Sequence, residues 1–156
     1  MKKLFTDLES ANSILAEVRD TRFPHNRLCG SQNEHGLRLK FSLADNGDVV
    51  ADFDCDPTYQ GFPGLVHGGV VAAVLDSAMS NCMFVRNVDA VTAELLIRYR
   101  KPIRIRGTAT VRARIDKSST RLHVLSGEVV QDGEIAATAT AKFMIVPGIA
   151  QSDSAI

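Results

Sequence analysis

The chain has no tryptophan, 6% aromatic residues and no net charge, with 18 Lys+Arg balanced by 18 Asp+Glu over 156 residues. Nucleic-acid binders show a basic excess or aromatic stacking platforms. With neither, a general nucleic-acid binder is excluded. Cysteine is sparse: Cys29, Cys55 and Cys82 are odd in number and irregularly spaced, with no Cys-x-x-Cys pair. That excludes a disulfide framework, offers no metal-ligand spacing, and points to reduced thiols in a reducing, cytoplasmic compartment. Long apolar runs are nearly absent. Met1-Lys2-Lys3-Leu4-Phe5 opens like a signal peptide, but Asp7 and Glu9 interrupt it at once. The one membrane-like stretch, 68–85, carries Asp76, Ser77, Ser80 and Asn81 behind two glycines. That suits a buried core helix and not a membrane span.

What is present fits one globular domain: 45% hydrophobic and 23% charged residues, in a chain long enough to bury a core without disulfides or metals. Leu4, Leu8, Ala11, Leu15 and Val18 recur at helical spacing and predict an amphipathic helix over about residues 6–19, with Thr6 and Glu9 spaced as a capping box. Residues 20–35 are polar and irregular. The period then becomes two. Leu37, Leu39, Phe41 and Leu43 predict a strand, Asn46-Gly47 a two-residue hairpin turn, and Ala51, Phe53 and Cys55 the return strand. A Pro/Gly loop at 57–65 precedes the buried helix, about Val66 to Phe84. Four alternating runs follow: Val91 to Tyr99, Ala109 to Ile115, residues 121–131, and Ile135 to Ile145 after an Asp132-Gly133 turn. Helix, two strands, apolar helix, four strands describes an α+β fold with an antiparallel sheet wrapped around one central helix. The expected organisation is an N-terminal helix and lead-in at 1–35, a core domain at 36–146 and a flexible tail at 147–156.

Chemistry concentrates in Gly61-Phe62-Pro63-Gly64-Leu65-Val66-His67-Gly68-Gly69-Val70, continuing to Asp76. Glycines at a helix start let a ligand approach the backbone, and the free N–H groups there suit an oxyanion. Asp76 is the only charged residue from 68 to 85, and it lies mid-helix. A carboxylate buried there needs an answer, so it is a candidate base or nucleophile. Ser80 shares its helical face.

Together with Val91-Thr92-Ala93-Glu94-Leu95 and Tyr99-Arg100-Lys101-Pro102-Ile103, these motifs resemble the hotdog-fold acyl-CoA thioesterases. The branch is the one that holds the phenylacetate-pathway thioesterases and the mitochondrial acyl-CoA thioesterases of animals. The likeness covers about residues 36–146. It implies Asp76 as the catalytic carboxylate, acting as base or nucleophile, and Gly68 as the backbone donor to the thioester carbonyl. It implies His67 as the motif histidine, Thr92 as a water-positioning hydroxyl beside the carboxylate, and Ser80 in a similar task. Gly69 joins the substrate-binding loop. Relatives often carry Asn or Gln shortly before His-Gly-Gly; Gln60 is nearest here, with Gly61 at the matching place. No cofactor is implied beyond the coenzyme A of the substrate.

Two constraints stand apart from the resemblance. Gly68 and Asp76 are eight residues apart, about 12 Å of helix rise, so one carbonyl cannot meet both on one rigid helix. That predicts a homodimer with shared sites, and hotdog proteins also form homotetramers. Residues 97–121 hold nine basic residues and one acid, whereas 41–85 hold six acids and no Lys or Arg. Arg98, Arg100, Lys101 and Arg104 are the candidates for coenzyme A phosphates. The residues leave two other functions open: a non-catalytic acyl-CoA sensor, which needs no Asp76, and a hotdog dehydratase or hydratase, which needs a His paired with an acid.

Overall fold

The computed structural model describes residues 7–149. Helix α1 is Leu8–Glu17. Strands β1 (Ser42–Leu43) and β2 (Val49–Asp54) precede helix α2 (Gly68–Phe84). Strands β3 (Ala90–Tyr99), β4 (Thr108–Ser118), β5 (Leu122–Gln131) and β6 (Glu134–Ile145) follow. All six strands form one antiparallel sheet in the order β1-β2-β4-β5-β6-β3. This is the α+β hotdog architecture expected.

Helix α2 is the centre of the core. Val71, Val74, Leu75, Ala78, Met79, Cys82 and Met83 repeat at three- and four-residue steps and are buried. They meet the inner residues of the sheet, among them Phe53, Val111, Leu125, Val129 and Phe143. At 1.5 Å per residue the helix is about 26 Å long, and strands of ten to twelve residues reach about 33–40 Å. Each long strand can therefore span the whole helix. The buried polar residue Asn81 donates to the Ser77 carbonyl at 2.9 Å, so its burial is compensated.

Four local features depart from the expected pattern. The cap of α1 is Asp7, whose side chain accepts from the Ser10 N–H at 2.7 Å; Thr6 and the tail beyond 149 lie outside the described residues. Residues 37–41 are not strand. Arg38 has φ +53°, which an extended strand does not allow. The Leu37 and Leu39 N–H groups instead bond the Arg27 and Leu28 carbonyls. The hairpin loop has three residues: Ala44 N–H bonds the Asp48 carbonyl, and only Gly47 takes positive φ, at +86°. Asn46 is not left-handed because its side chain accepts from the Asp48 N–H, closing a turn by itself. Ile135 is 41% exposed while Ala136 is buried, because a bulge shifts the β5–β6 register beside Val129/Val130. In contrast, the two-residue Asp132-Gly133 turn forms as expected, both residues at positive φ. Helix α1 covers the end of the sheet, where the Asn12 side chain accepts from the Leu43 N–H on edge strand β1.

Near the C-terminal end of α2, His123 is buried with Nδ1 3.0 Å from Ser118 Oγ. Its Nε2 is buried without a partner among the described residues. Burial, and then the Arg86 guanidinium, hold its pKa below the ordinary 6.5. The unfolded chain therefore takes up a proton that the folded chain resists. The contribution is present above pH 6.5 and is lost as pH falls through the lowered value. Urea midpoints measured from pH 7 to about 5 are expected to fall more steeply for the wild type than for His123→Gln. Parallel slopes for the two proteins would refute this.

Candidate active site

The site starts from the first turn of α2. His67 is the N-cap, and its Nδ1 accepts from the Gly69 N–H at 2.9 Å. A neutral His67 therefore carries its proton on Nε2. The His67 carbonyl takes the Val70 and Val71 N–H groups. Of the first-turn donors, only the Gly68 N–H has no partner among the described residues. Gly69, expected to help bind substrate, has its donor engaged by the cap. Tyr99 on β3 donates its hydroxyl to the Gly68 carbonyl at 2.7 Å, which fixes the peptide after the free donor. The periodicity placed Tyr99 on the inner face but gave it no task.

Gln60 sits in the loop before the helix. Its Oε1 accepts from the N–H of Gly64, a residue at φ +80°. The Gln60 amide nitrogen keeps its donors. Gln60 and Gly68 line one cavity of about 470 Å³ with Phe62, Leu65, Val66 and Pro102.

Asp76 lies two turns further along. It is half-buried, not fully buried as the apolar helix suggested, and lies beside edge strand β3 of the sheet. Its partner is not a cation. Thr92 Oγ1 donates to Asp76 Oδ1 at 2.5 Å, which leaves Oδ2 without a partner among the described residues. Thr92 can do this because β3 bulges: Thr92 pairs with Phe143 and Glu94 with Lys142, so Ala93 is the extra residue. In a regular strand, Thr92 and Tyr99 are seven apart and face opposite ways. The bulge changes that parity, so both reach α2. The expected single face from Val91 through Ala93 to Tyr99 is therefore broken at Ala93. Ser80 lies on the Asp76 face, and both line a smaller cavity of about 130 Å³.

The basic candidates do not form one cluster. Lys101 and Arg104 border a cavity of about 480 Å³, where Lys101 Nζ pairs with Glu134 at 2.6 Å. Arg100 borders the next cavity, beside Gly68 and Tyr99, and its Nε lies 3.4 Å from Thr138 Oγ1. Arg98 is exposed on β3 opposite Thr138, on the other face from Tyr99. Farther along, Arg112 pairs with Glu128 and Arg114 with Asp116. All three cysteines are free and buried. Burial pushes the Cys55 thiol up to about 11 and Cys82 up to about 12, so neither supplies a thiolate. Among the described residues no His/Cys/Asp/Glu group is placed to hold a metal ion, and no helix is long and apolar enough to cross a membrane.

Residues 63–137, the segment from the glycine loop to β6, match the family model of the thioesterase superfamily. The acyl-coenzyme A thioesterase THEM4 of Bos taurus is 30% identical over 115 residues, which make up 72% of this chain and 47% of that protein. The chain thus spans about half the length of this relative. Among solved structures, the phenylacetic acid degradation protein PaaI of Thermus thermophilus, solved as a mutant, is 27% identical. It superposes with a TM-score of 0.65 over 70% of this chain and 95% of that one. Another thioesterase superfamily protein gives a TM-score of 0.73 over 78% of this chain and 63% of its own, at 24% identity, a likeness of fold. With the strand order and central helix described above, the chain carries the hotdog fold, and its segment 63–137 is similar to the thioesterase superfamily.

The cap generates a prediction. His67→Ala removes the acceptor for the Gly69 N–H and is expected to cost about 0.5–2 kcal/mol of unfolding free energy. Urea denaturation reads this, and a loss below the low end of that range means that another group takes over the cap.

Proposed function

We propose that this protein hydrolyses an acyl-CoA thioester to the free acid and coenzyme A. The observation that carries the reading is the Thr92–Asp76 hydrogen bond, on the same helix as a first turn whose one unengaged donor is Gly68. A carboxylate with one oxygen held by a hydroxyl keeps the other for a water molecule. Asp76 takes a proton from that water, whose oxygen attacks the thioester carbon. The carbonyl electrons move onto oxygen, where the Gly68 N–H, and the Gln60 amide beside it, stabilise the charge. The oxyanion collapses, the C–S bond breaks, and the proton returns from Asp76 to the departing thiolate. In the other form of the reaction, Asp76 attacks the carbon itself, the C–S bond breaks to release the coenzyme A thiolate, and water cleaves the resulting anhydride while a proton goes to the thiolate. Solvent oxygen found in Asp76 after a single turnover in ¹⁸O-water requires this second route with water entering at the aspartyl carbon; entry at the acyl carbon labels only the product acid.

The substrate class rests on the relative's name and on charge. Lys101 and Arg104 flank a cavity that continues past Pro102 toward the Gly68 loop, a place for the phosphates of coenzyme A. Arg98 and Arg100 extend the positive charge along β3. Helix α2 runs unbroken from Gly68 to Phe84, so donor and carboxylate stay about 12 Å apart along it. A complete site therefore takes Gly68 from one protomer and Asp76 from its partner. Strand β3 supports this pairing. Among the described residues it bonds only β6, which leaves its other edge open over ten residues, and Leu96 and Tyr99 are 58% and 56% exposed. Long apolar edges of this kind pair with another chain. The dehydratase reading lacks its acid, because the His67 Nδ1 is spent on a backbone N–H. The site needs no cofactor for this chemistry, and three free, buried cysteines fit a reducing, cytoplasmic setting.

Free-thiol release from acyl-CoAs of graded size tests this. Asp76→Asn is expected to lower kcat by at least about 10²-fold with little change in fold. Unchanged turnover removes Asp76 from the reaction, and wild-type silence across the panel favours an acyl-CoA sensor. Sedimentation is expected to give a dimer or a tetramer of two dimers; a fully active monomer would sink the shared-site argument.

A further inference from the structure

The irregular lead-in before the sheet is not a loose connection. It lies across the part of α2 that carries Ala73, Ser77 and Ser80, beside edge strand β3. A cavity of about 130 Å³ remains between them, lined by Asn26, Leu28 and Cys29 from the lead-in and by Ala73, Asp76, Ser77, Ser80 and Phe84 from the helix. Asp76 and Ser80 make one part of this lining polar; Leu28, Cys29, Ala73 and Phe84 make the rest apolar. The helix carries Phe84 about 12 Å past Asp76. The cavity therefore starts at the candidate reacting carboxylate and ends against hydrocarbon.

Its far wall is firmly held. The Asn26 side chain accepts from the Leu28 and Cys29 N–H groups at 2.9 and 3.1 Å. Gly30 sits so tightly that an added Cβ would lie 2.4 Å from the Asn26 nitrogen and the Pro24 oxygen. Leu39 N–H ties the Leu28 carbonyl from outside at 2.8 Å. The Phe84 ring rests on Phe23, centroids 5.2 Å apart. The Cys29 thiol is buried and pushed up in pKa chiefly by that burial, so it is part of the wall and not a second nucleophile.

We infer that the lead-in closes the acyl end of the site and limits the substrate's tail to about six carbons beyond the thioester carbonyl, open-chain or ring. The inference rests on Asp76 as the reacting carboxylate. The size follows from volume: an apolar cavity of about 150 Å³ accommodates benzene, and this one is slightly smaller. Leu28 and Phe84 are the specificity-determining residues, and Ala73 sets the width.

Equilibrium binding of S-alkyl-CoA thioethers, which cannot be hydrolysed, tests the cavity apart from the chemistry. Affinity is expected to rise about fourfold per methylene, the equivalent of ~0.8 kcal/mol, up to about six carbons, and then to stop rising or fall. Leu28→Ala is expected to move the break to longer chains. Ala73→Leu, which fills the cavity from a helix position that favours leucine, moves it to shorter ones and serves if the first variant does not fold. The kcat/KM profile over acyl-CoAs is expected to shift with the break. A wild type whose affinity keeps climbing to sixteen-carbon tails, or a break that neither variant moves, overturns the inference while leaving hydrolysis by Asp76 intact. A break that moves as described, in a protein that releases no thiol, upholds the cavity and removes the hydrolase reading instead.

Discussion

Everything in this fold follows from one helix that is too apolar to meet water. Between Gly68 and Phe84 the only charged residue is Asp76, and seven apolar side chains project toward the sheet. Burying a side chain of leucine or methionine size is worth about 1.5–3 kcal/mol. Wrapping six strands around the helix collects that gain along its whole length. A sheet covers only one side of a cylinder. Ala73, Asp76, Ser77 and Ser80 border the cavity against the lead-in, at the margin where edge strand β3 still reaches Asp76 through Thr92. The packing need of the core thus sets the place of the chemistry.

The regular elements were legible because each is long relative to its period. The stripe of Val71, Val74, Leu75 and Ala78 and the alternation of Leu122 to Gln131 carry the same information in sequence and in space. The Asp132-Gly133 turn was legible because its backbone geometry demands those residue types. Failures came where a local feature interrupts a period. Arg38 at positive φ turns an apparently alternating run into a loop anchored to Arg27 and Leu28. The extra residues at Ala93 and Ala136 change which side chains face inward, and neither position carries a distinctive residue. Asp76 and Gly68 were candidates on residue type and position, and Thr92 on the family resemblance. Their company was not legible: Tyr99 and the Leu28–Cys29 wall join the site through contacts across long sequence separations.

The even balance of charge has a similar structure. Acids near the first hairpin serve the backbone around them. Asp56 accepts from the Thr58 N–H, and the Asp48 carboxylate accepts from the Asn46 side-chain amide, whose oxygen in turn takes the Asp48 N–H. The basic residues after the helix divide into those answered on the sheet, such as Arg112 by Glu128, and those bordering the cavities near Pro102. Counting charges along the chain located the basic segment. Only the fold separates the charges paired on the sheet from those that border a cavity.

The bulge at Ala93 makes the relation between strand and helix a matter of counting. One additional peptide lets an odd-numbered separation act as an even one, so that Tyr99 can fasten the start of the helix while Thr92 holds its middle. Deleting Ala93 itself would leave Thr92 and Tyr99 six apart on a regular strand, still opposite Phe143 and Ala137 and still on one face. A one-residue deletion elsewhere between them, with the bulge kept, would turn one of the two outward. Insertions and deletions in β3 are constrained by the arithmetic of facing, whereas those in the loops around it are not.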